Sequence, residues 1–258
     1  MNFLILAGTV DGRMLAEELK SCGHEVVVST LTNYGADIAQ EAGIVARSGA
    51  LDEKSFVKLL ETHSSSAVID ATHPFALQIR ELSQRVCLQT HTPYFRWQRA
   101  SLETFSHPLI HWTEDLNSAA KKAAELGERI LLTTGSNSLP QWLENSKFAN
   151  KLIYVRVLPT SAILLRCETL GLKPFQIIAA QGPFSQAWNE AMIQQFQIDV
   201  VIAKDSGKEG GTIDKIQACL NAQVPLILLQ RPEKTSSLTF TKFIEQMEEQ
   251  LCKLKLLS

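Results

Sequence analysis

The 258 residues contain no uninterrupted apolar run near the roughly 18 that a membrane-spanning helix requires. Neither sign of charge dominates. Lys and Arg number 25 against 27 Asp and Glu, for a formal charge of −2. A general nucleic-acid or anionic-membrane surface needs a basic field and is not expected. An acidic small molecule stays open, because a few local cations suffice for it. Cysteine is scarce and scattered: Cys22, Cys87, Cys167, Cys219 and Cys252 form no CxxC and no Cys/His cluster. Neither a disulfide framework nor a metal site is therefore expected, and the five are read as small buried hydrophobes in a reducing compartment. The P-loop, GxSxG, HExxH and EF-hand patterns are missing too, which weighs against kinase, serine-hydrolase and zinc-protease chemistry. The first apolar run has no basic segment before it and meets Asp11 too soon for a signal peptide. Residues 3–7 are read as a buried strand and the protein as cytoplasmic.

What is present is a core. With 45% hydrophobic and 20% charged residues, a disordered or fibrous chain is excluded. Short continuous runs rich in Val, Ile and Leu predict strands at 2–7, 25–30, 44–47, 67–70, 93–97, 109–112, 129–134, 152–157, 175–180, 200–204 and 225–229. Such runs suit strands covered on both faces. Between them lie helical patterns such as 14–22, 56–63, 75–89, 116–126, 185–196 and 212–221. Four joints read helix, Gly, strand, at Gly23, Gly43, Gly127 and Gly171, where a left-handed glycine would cap the helix. This alternation predicts α/β architecture with mostly parallel sheets, and the strand number exceeds one comfortable open sheet. Two doubly wound domains are expected, at 1–100 and 101–258, divided by a polar stretch at 98–107. Leu238, Phe240, Phe243, Ile244, Met247, Leu251 and Leu254 recur at three- and four-residue steps, as in an amphipathic packing helix.

The chemistry-bearing residues sit at strand ends. In LAGTVDGR at 6–13, Gly8 permits close approach of backbone to a ligand and Gly12 opens a helix whose free amides favour an anion. The position suits a dinucleotide phosphate, although GxGxxG spacing is absent. Strand two ends in Ser29 and Thr30 with no carboxylate, Arg13 lies one turn into the first helix, and Arg47 ends strand three. Hydroxyls and guanidinium suit a 2′-phosphate, which favours NADPH, with NADH as the alternative. The plain alternative for Arg13 is a solvated helix residue. In DATHPFA at 70–76, Pro74 keeps His73 out of the helical region, so Asp70, Thr72 and His73 are expected on a stiff turn at the same edge as Gly8. In the second half, TTGSN at 133–137, QGPF at 181–184 and KDSGKEGGT at 204–212 offer amides and hydroxyls as anion nests, with Lys204 projecting beside Asp205 and Ser206. Ordinary polar loops would also be rich in Gly and Ser. Three of them in one domain imply a cleft lined by anion binders.

These motifs, with ArgPro at 231–232, occur in the order of one family: the chain resembles the precorrin-6A reductases of cobalamin biosynthesis, the cobalt-precorrin-6A reductases among them. The resemblance runs from about residue 2 to residue 232. That family usually opens with Gly-Gly-Thr; here Ala7 takes the first place, while Gly8, Thr9, Asp11 and Arg13 are kept. The resemblance implies two Rossmann-like domains with NADPH and a tetrapyrrole in an interdomain cleft, and reduction of one macrocycle double bond. The expected amino-terminal cofactor site comprises Gly8, Thr9, Asp11, Gly12, Arg13, Ser29, Thr30, Arg47, Thr72 and Pro74. A carboxy-terminal substrate site would comprise Thr133, Thr134, Gly135, Gln181, Gly182, Pro183, Asp205 and Gly207. Lys204, His73 and Ser206 are the catalytic candidates. The longer LysGluGlyGly insertion at 208–211, after Ser206 and Gly207, looks more like the cobalt-handling branch. Two other readings share the alternation of strands and helices: a cofactor-free tetrapyrrole cyclising synthase, with no use for the Gly8 turn, and a two-domain small-molecule sensor.

Overall fold

The computed structural model describes residues 1–8, 10–98, 105–207, 210–232 and 238–256. Thr9, Lys208, Glu209 and residues 99–104 of the expected boundary lie outside the described residues. The chain divides into two compact units, Met1–Ala100 with Thr235–Ser258, and Ser101–Lys234.

The first unit runs β1 (Asn2–Ala7), α1 (Val10–Ser21), β2 (Glu25–Thr30), α2 (Asn33–Glu41), β3 (Val45–Ser48), α3 (Glu53–Thr62), β4 (Ala67–Ala71), α4 (Leu77–Gln89) and β5 (Tyr94–Arg96). Its strands are all parallel, in the order β3-β2-β1-β4-β5. Alternation along β1 divides its side chains between two faces. Phe3 and Ile5 pack with Leu15, Ala16 and Leu19 of α1, while Leu4 and Leu6 pack with Phe56, Leu60, Val86 and Cys87 of α3 and α4. Both faces are covered, which explains the unbroken apolar strands. The chain leaves β1 toward β2 and leaves β4 toward β5, so the order reverses between β1 and β4. A doubly wound sheet opens its ligand crevice at the carboxyl ends of such a pair.

The second unit runs β6 (Ile110–Thr113), α5 (Leu116–Leu126), β7 (Arg129–Thr133), α6 (Leu139–Leu143), β8 (Leu152–Val157), α7 (Ser161–Thr169), β9 (Ile177–Ala179), α8 (Gln186–Gln195), β10 (Val200–Lys204), α9 (Thr212–Asn221) and β11 (Leu226–Leu229). The order is β6-β11-β10-β7-β8-β9, again all parallel. Here the reversal falls between β7 and β10. Every expected strand is present, with ends shifted by a residue or two. Three of the four joint glycines, Gly23, Gly43 and Gly171, have positive φ as a left-handed cap requires. Gly127 differs: it is extended, with φ −176°. A Cβ there would lie 2.2 Å from that of Asp199, so glycine is needed for space. The same Asp199 accepts hydrogen bonds from the amides of Glu128 and Arg129 at 2.8 and 2.9 Å.

The last helix, α10 (Phe240–Leu256), corrects the expected division. Its stripe of Phe243, Ile244, Met247 and Leu251 is buried in the first unit, with Phe3, Leu15 and Val28. His24 Nε2 also meets Glu248 Oε1 at 2.6 Å, and the Trp97 and Phe240 rings lie 4.5 Å apart. An apolar stripe specifies that a helix must cover something, not which sheet it covers. Cysteine needs a second correction: Cys87, Cys167 and Cys219 are buried, but Cys22 and Cys252 are exposed. Cys22 follows the end of α1, and Cys252 lies one step off the buried stripe of α10. Among the described residues no helix is long and apolar enough to cross a membrane.

Candidate functional site

At the reversal in the first unit, the β1–α1 turn meets the turn after β4. A Cβ on the exposed Gly8 would come within 3.9 Å of the His73 backbone nitrogen, an ordinary contact. The protein therefore leaves Gly8 open toward whatever approaches it. Gly12 serves packing, since a Cβ there would strike that of Ala7 at 2.4 Å. Close seating of helix on strand is the task of the third glycine in a dinucleotide fingerprint, and the spacing differs here while the function of the position is kept. Asp11 is buried in the first turn of α1. Arg13 does not join the hydroxyls of β2; its Nη1 donates to Glu17 Oε1 at 2.7 Å along the helix.

The end of β2 does gather what the sequence suggests. Ser29 and Arg47 are register partners, and Arg47 Nη1 donates to Ser29 Oγ at 2.9 Å. The guanidinium also donates to the carbonyls of Gly49 and Ser48, at 3.1 and 2.5 Å. Gly49 has φ 103°, which turns its carbonyl and its bare α-carbon toward that group. Thr30 is buried, and its hydroxyl is spent on the carbonyls of Thr32 and Arg47.

Asp70 is not displayed as expected. It is 0% exposed, and its carboxylate accepts from the Thr72 amide and hydroxyl at 2.9 and 2.6 Å and from the Tyr94 hydroxyl at 2.7 Å. Arg96, its register partner on β5, forms an ion pair with it at 2.5 Å and donates to the Thr72 carbonyl at 3.2 Å. Burial and the Asp70 charge push the Tyr94 phenol well above its ordinary pKa. Arg80 donates to the Pro74 carbonyl at 2.7 Å from the other side. The Thr72–His73–Pro74 turn is thus fixed through its backbone. His73 Nδ1 accepts the Phe75 amide at 3.3 Å, so the ring proton of the neutral imidazole sits on Nε2. Tyr94, Arg80 and Arg96 were not among the expected residues. Strand register places Arg96 beside Asp70, while Tyr94 and Arg80 reach the turn only through the folded chain.

In the second unit Thr133 ends β7 beside β10 and Thr134 follows it, and Thr133 donates to the Ile202 carbonyl at 3.1 Å. Ser138 donates to Thr134 at 3.2 Å, and Gly135 turns the chain with φ 81°. Lys204 is half-buried at the end of β10, and burial holds its ammonium below the ordinary lysine value. Asp205, expected to face substrate, is 0% exposed. It pairs with the buried Arg231 at 3.1 Å and accepts the Gly207 amide at 3.0 Å. The Ser206 hydroxyl, expected in catalysis, lies 2.9 Å from the Gly210 carbonyl and 3.1 Å from the Thr212 hydroxyl, which makes it a brace of its own loop. The Gly182–Pro183 peptide bond is cis, Gln181 and Pro183 are exposed, and Gly182 leaves room for the Phe184 ring. Each unit therefore presents polar groups at its own point of reversal, behind a wholly buried aspartate paired with arginine.

A family model described as "Precorrin-6x reductase CbiJ/CobK" matches residues 2–253. The chain is 36% identical to a cobalt-precorrin-6A reductase of Salmonella typhimurium over 232 residues, covering 90% of this chain and 88% of that protein. It is 31% identical to a cobalt-precorrin-6A reductase of Priestia megaterium, covering 94% and 95%. A solved structure of the precorrin-6A reductase CobK shares the fold, with a TM-score of 0.74 at 24% identity, covering 96% of this chain and 97% of that one.

Proposed function

The chain belongs to the precorrin-6x reductase CbiJ/CobK family, and we propose that it reduces one carbon–carbon double bond of cobalt-precorrin-6A with NADPH as the donor. It is an oxidoreductase of cobalamin biosynthesis acting on a tetrapyrrole, and membership displaces the synthase and sensor alternatives. The cobalt form is favoured by the names of the relatives at 36% and 31% identity.

The observation that carries the cofactor site is the β1–α1 turn, open at Gly8 and sealed at Gly12. When bound, the nicotinamide supplies a hydride to one carbon of the double bond, and the neighbouring carbon takes a proton. Gly8 and the first amides of α1 would receive the pyrophosphate. Arg47, already aligned by Ser29 and two carbonyls, would take the 2′-phosphate and favour NADPH over NADH. The braced Thr72–Pro74 turn would border the nicotinamide. Thr133, Thr134, Gly135 and the Gln181–Gly182–Pro183 turn would bind the macrocycle. Lys204 is assigned the proton, since burial makes its ammonium a better acid than a free lysine. His73 Nε2 is the second candidate. Asp205 and Ser206 position the loop that carries Lys204.

The test is turnover of cobalt-precorrin-6A and of metal-free precorrin-6A, followed by loss of the reduced nicotinamide absorbance. One NADPH should be consumed per macrocycle. Arg47→Met should weaken NADPH by about tenfold or more, the worth of a charge-assisted hydrogen bond, and leave NADH unchanged. Equal loss for both donors removes Arg47 from the 2′-phosphate, and absence of turnover with either macrocycle removes the reaction.

A further inference from the structure

Beside β8, where α8 and α9 pack together, the second unit buries two cations. Arg156, the penultimate residue of β8, is 7% exposed. Its Nη1 donates to Asn189 Oδ1 of α8 at 2.8 Å, and its guanidinium lies 4.0 Å over the Phe184 ring. Asn189 is held by its own amide, which donates to the Ser185 carbonyl at 2.8 Å. Phe184 and Trp188 stack at 4.5 Å, forming an aromatic wall next to the guanidinium. Lys215, in the first turn and a half of α9, is 9% exposed, and its ammonium makes no hydrogen bond or ion pair among the described residues.

Lys215 and Cys219 are four residues apart and share one face of α9. The charge of Arg156 acts on both, and burial with that repulsion brings Lys215 down to about 8. The groups that bear on Lys215 are Arg156 from β8, Cys219 and Asp214 from α9, and Asp205 from the end of β10. None neutralises it. Burial pushes the Cys219 thiol up to about 12, so it stays uncharged. Asp205 is committed to Arg231, and half-buried Asp214 forms no ion pair with Lys215. An apolar pair would be more stable in this place, so the arrangement calls for an anion that returns the cost.

We propose that Arg156 and Lys215 form an anion site in which one carboxylate of the tetrapyrrole is bound. The ligand's identity rests on the reductase reading; the site does not. Arginine offers a planar fork matched to a carboxylate, and lysine adds a point charge. Tyr154, Leu131 and Ala203 face α8 and α9. Strand alternation then places Arg156 and Thr133 on that face and Lys204 on the opposite one. A macrocycle bearing several carboxylates would thus find cations on both faces of one sheet edge.

Lys215→Met in the full chain is the first test, with cobalt-precorrin-6A and NADPH. The KM for the macrocycle should rise about tenfold, with kcat and the Kd for NADPH unchanged and thermal stability equal or higher. An unchanged KM overturns the proposal. A rise in the NADPH Kd instead assigns the anion to a cofactor phosphate and also overturns it. Should that variant fail to fold, the parent decides alone. Macrocycle binding near pH 8.5, measured by calorimetry in two buffers of different ionisation enthalpy, should take up a proton as Lys215 regains its charge; no uptake overturns the site. If the parent neither binds nor reduces either macrocycle, the reductase reading falls by itself. Acetate then serves as the probe: it should raise the thermal midpoint of the parent more than that of Lys215→Met, and equal shifts overturn the site.

Discussion

The two sheets reach their points of reversal with opposite materials. In the first unit the edge is made of glycine and backbone, and its outlying arginines are occupied, Arg13 by Glu17 and Arg47 by Ser29 and two carbonyls. In the second unit the edge carries cations, with Lys204 half-buried and Arg156 and Lys215 largely buried. The first arrangement is shaped before any ligand arrives and gives up little stability. At Arg156 and Lys215 the second carries a burial and repulsion cost that a bound anion would offset. A linear polyanion is gripped well by backbone amides in a row, whereas separate carboxylates on a flat ring need separate charges. The paired acids differ as well. Arg96 keeps 12% of its side chain exposed beside Asp70, while Arg231 beside Asp205 keeps 2%.

That last difference gives the largest expected effect. Asp205→Asn strands a buried guanidinium and should cost about 3–5 kcal/mol in urea unfolding. Asp70→Asn should cost less, about 1–3 kcal/mol, because Arg96 reaches water and the Thr72 bonds survive in part. The reverse order would show that the two pairs are not the same device. Next comes pH. Lys215 has a folded pKa of about 8 against an ordinary 10.5. Below pH 8 both folded and unfolded chains are protonated, and the burial penalty is felt in full. Between 8 and 10.5 the folded chain sheds its proton first, so stability should rise with pH, by roughly 3 kcal/mol from this group. The rise should vanish in Lys215→Met; persistence there would assign it to another group. Smallest is the glycine pair. Gly12→Ala should lower stability by about 1–3 kcal/mol through overpacking on Ala7. Gly8→Ala should unfold within about 0.5 kcal/mol of the parent yet bind NADPH more weakly. Equal stability of the two variants would dissolve the distinction between packing glycine and cradle glycine.

The central strands, such as β1, β4, β10 and β11, were legible because each is a short buried run rich in Val, Ile and Leu bounded by turn residues. Asn33–Glu41 and Ser161–Thr169 were less so, since few apolar residues mark their buried sides. Strand-end motifs identified the turns that carry Gly8, His73, Thr133 and Lys204. They did not tell which polar residues face outward. Asp70 and Asp205 look the same in sequence as exposed loop acids, and their burial follows from partners 26 residues away, Arg96 and Arg231. Lys215 was illegible for a simpler reason: a lysine in an amphipathic helix ordinarily marks the wet face.

The return of α10 to the first unit makes that unit discontinuous, with Ser101–Lys234 inserted in it. During synthesis the second unit has all of its strands before the first has its last helix. Until α10 arrives, the apolar sides of Phe3, Leu15 and Val28 lack the cover of Phe243, Ile244 and Met247. A growing chain therefore carries its amino-terminal unit unfinished while the inserted unit can close. Because loop-closure entropy grows only slowly with length, the delayed docking costs little at equilibrium. The burden is one of timing, borne by a nascent polypeptide whose first strand waits longest for its cover.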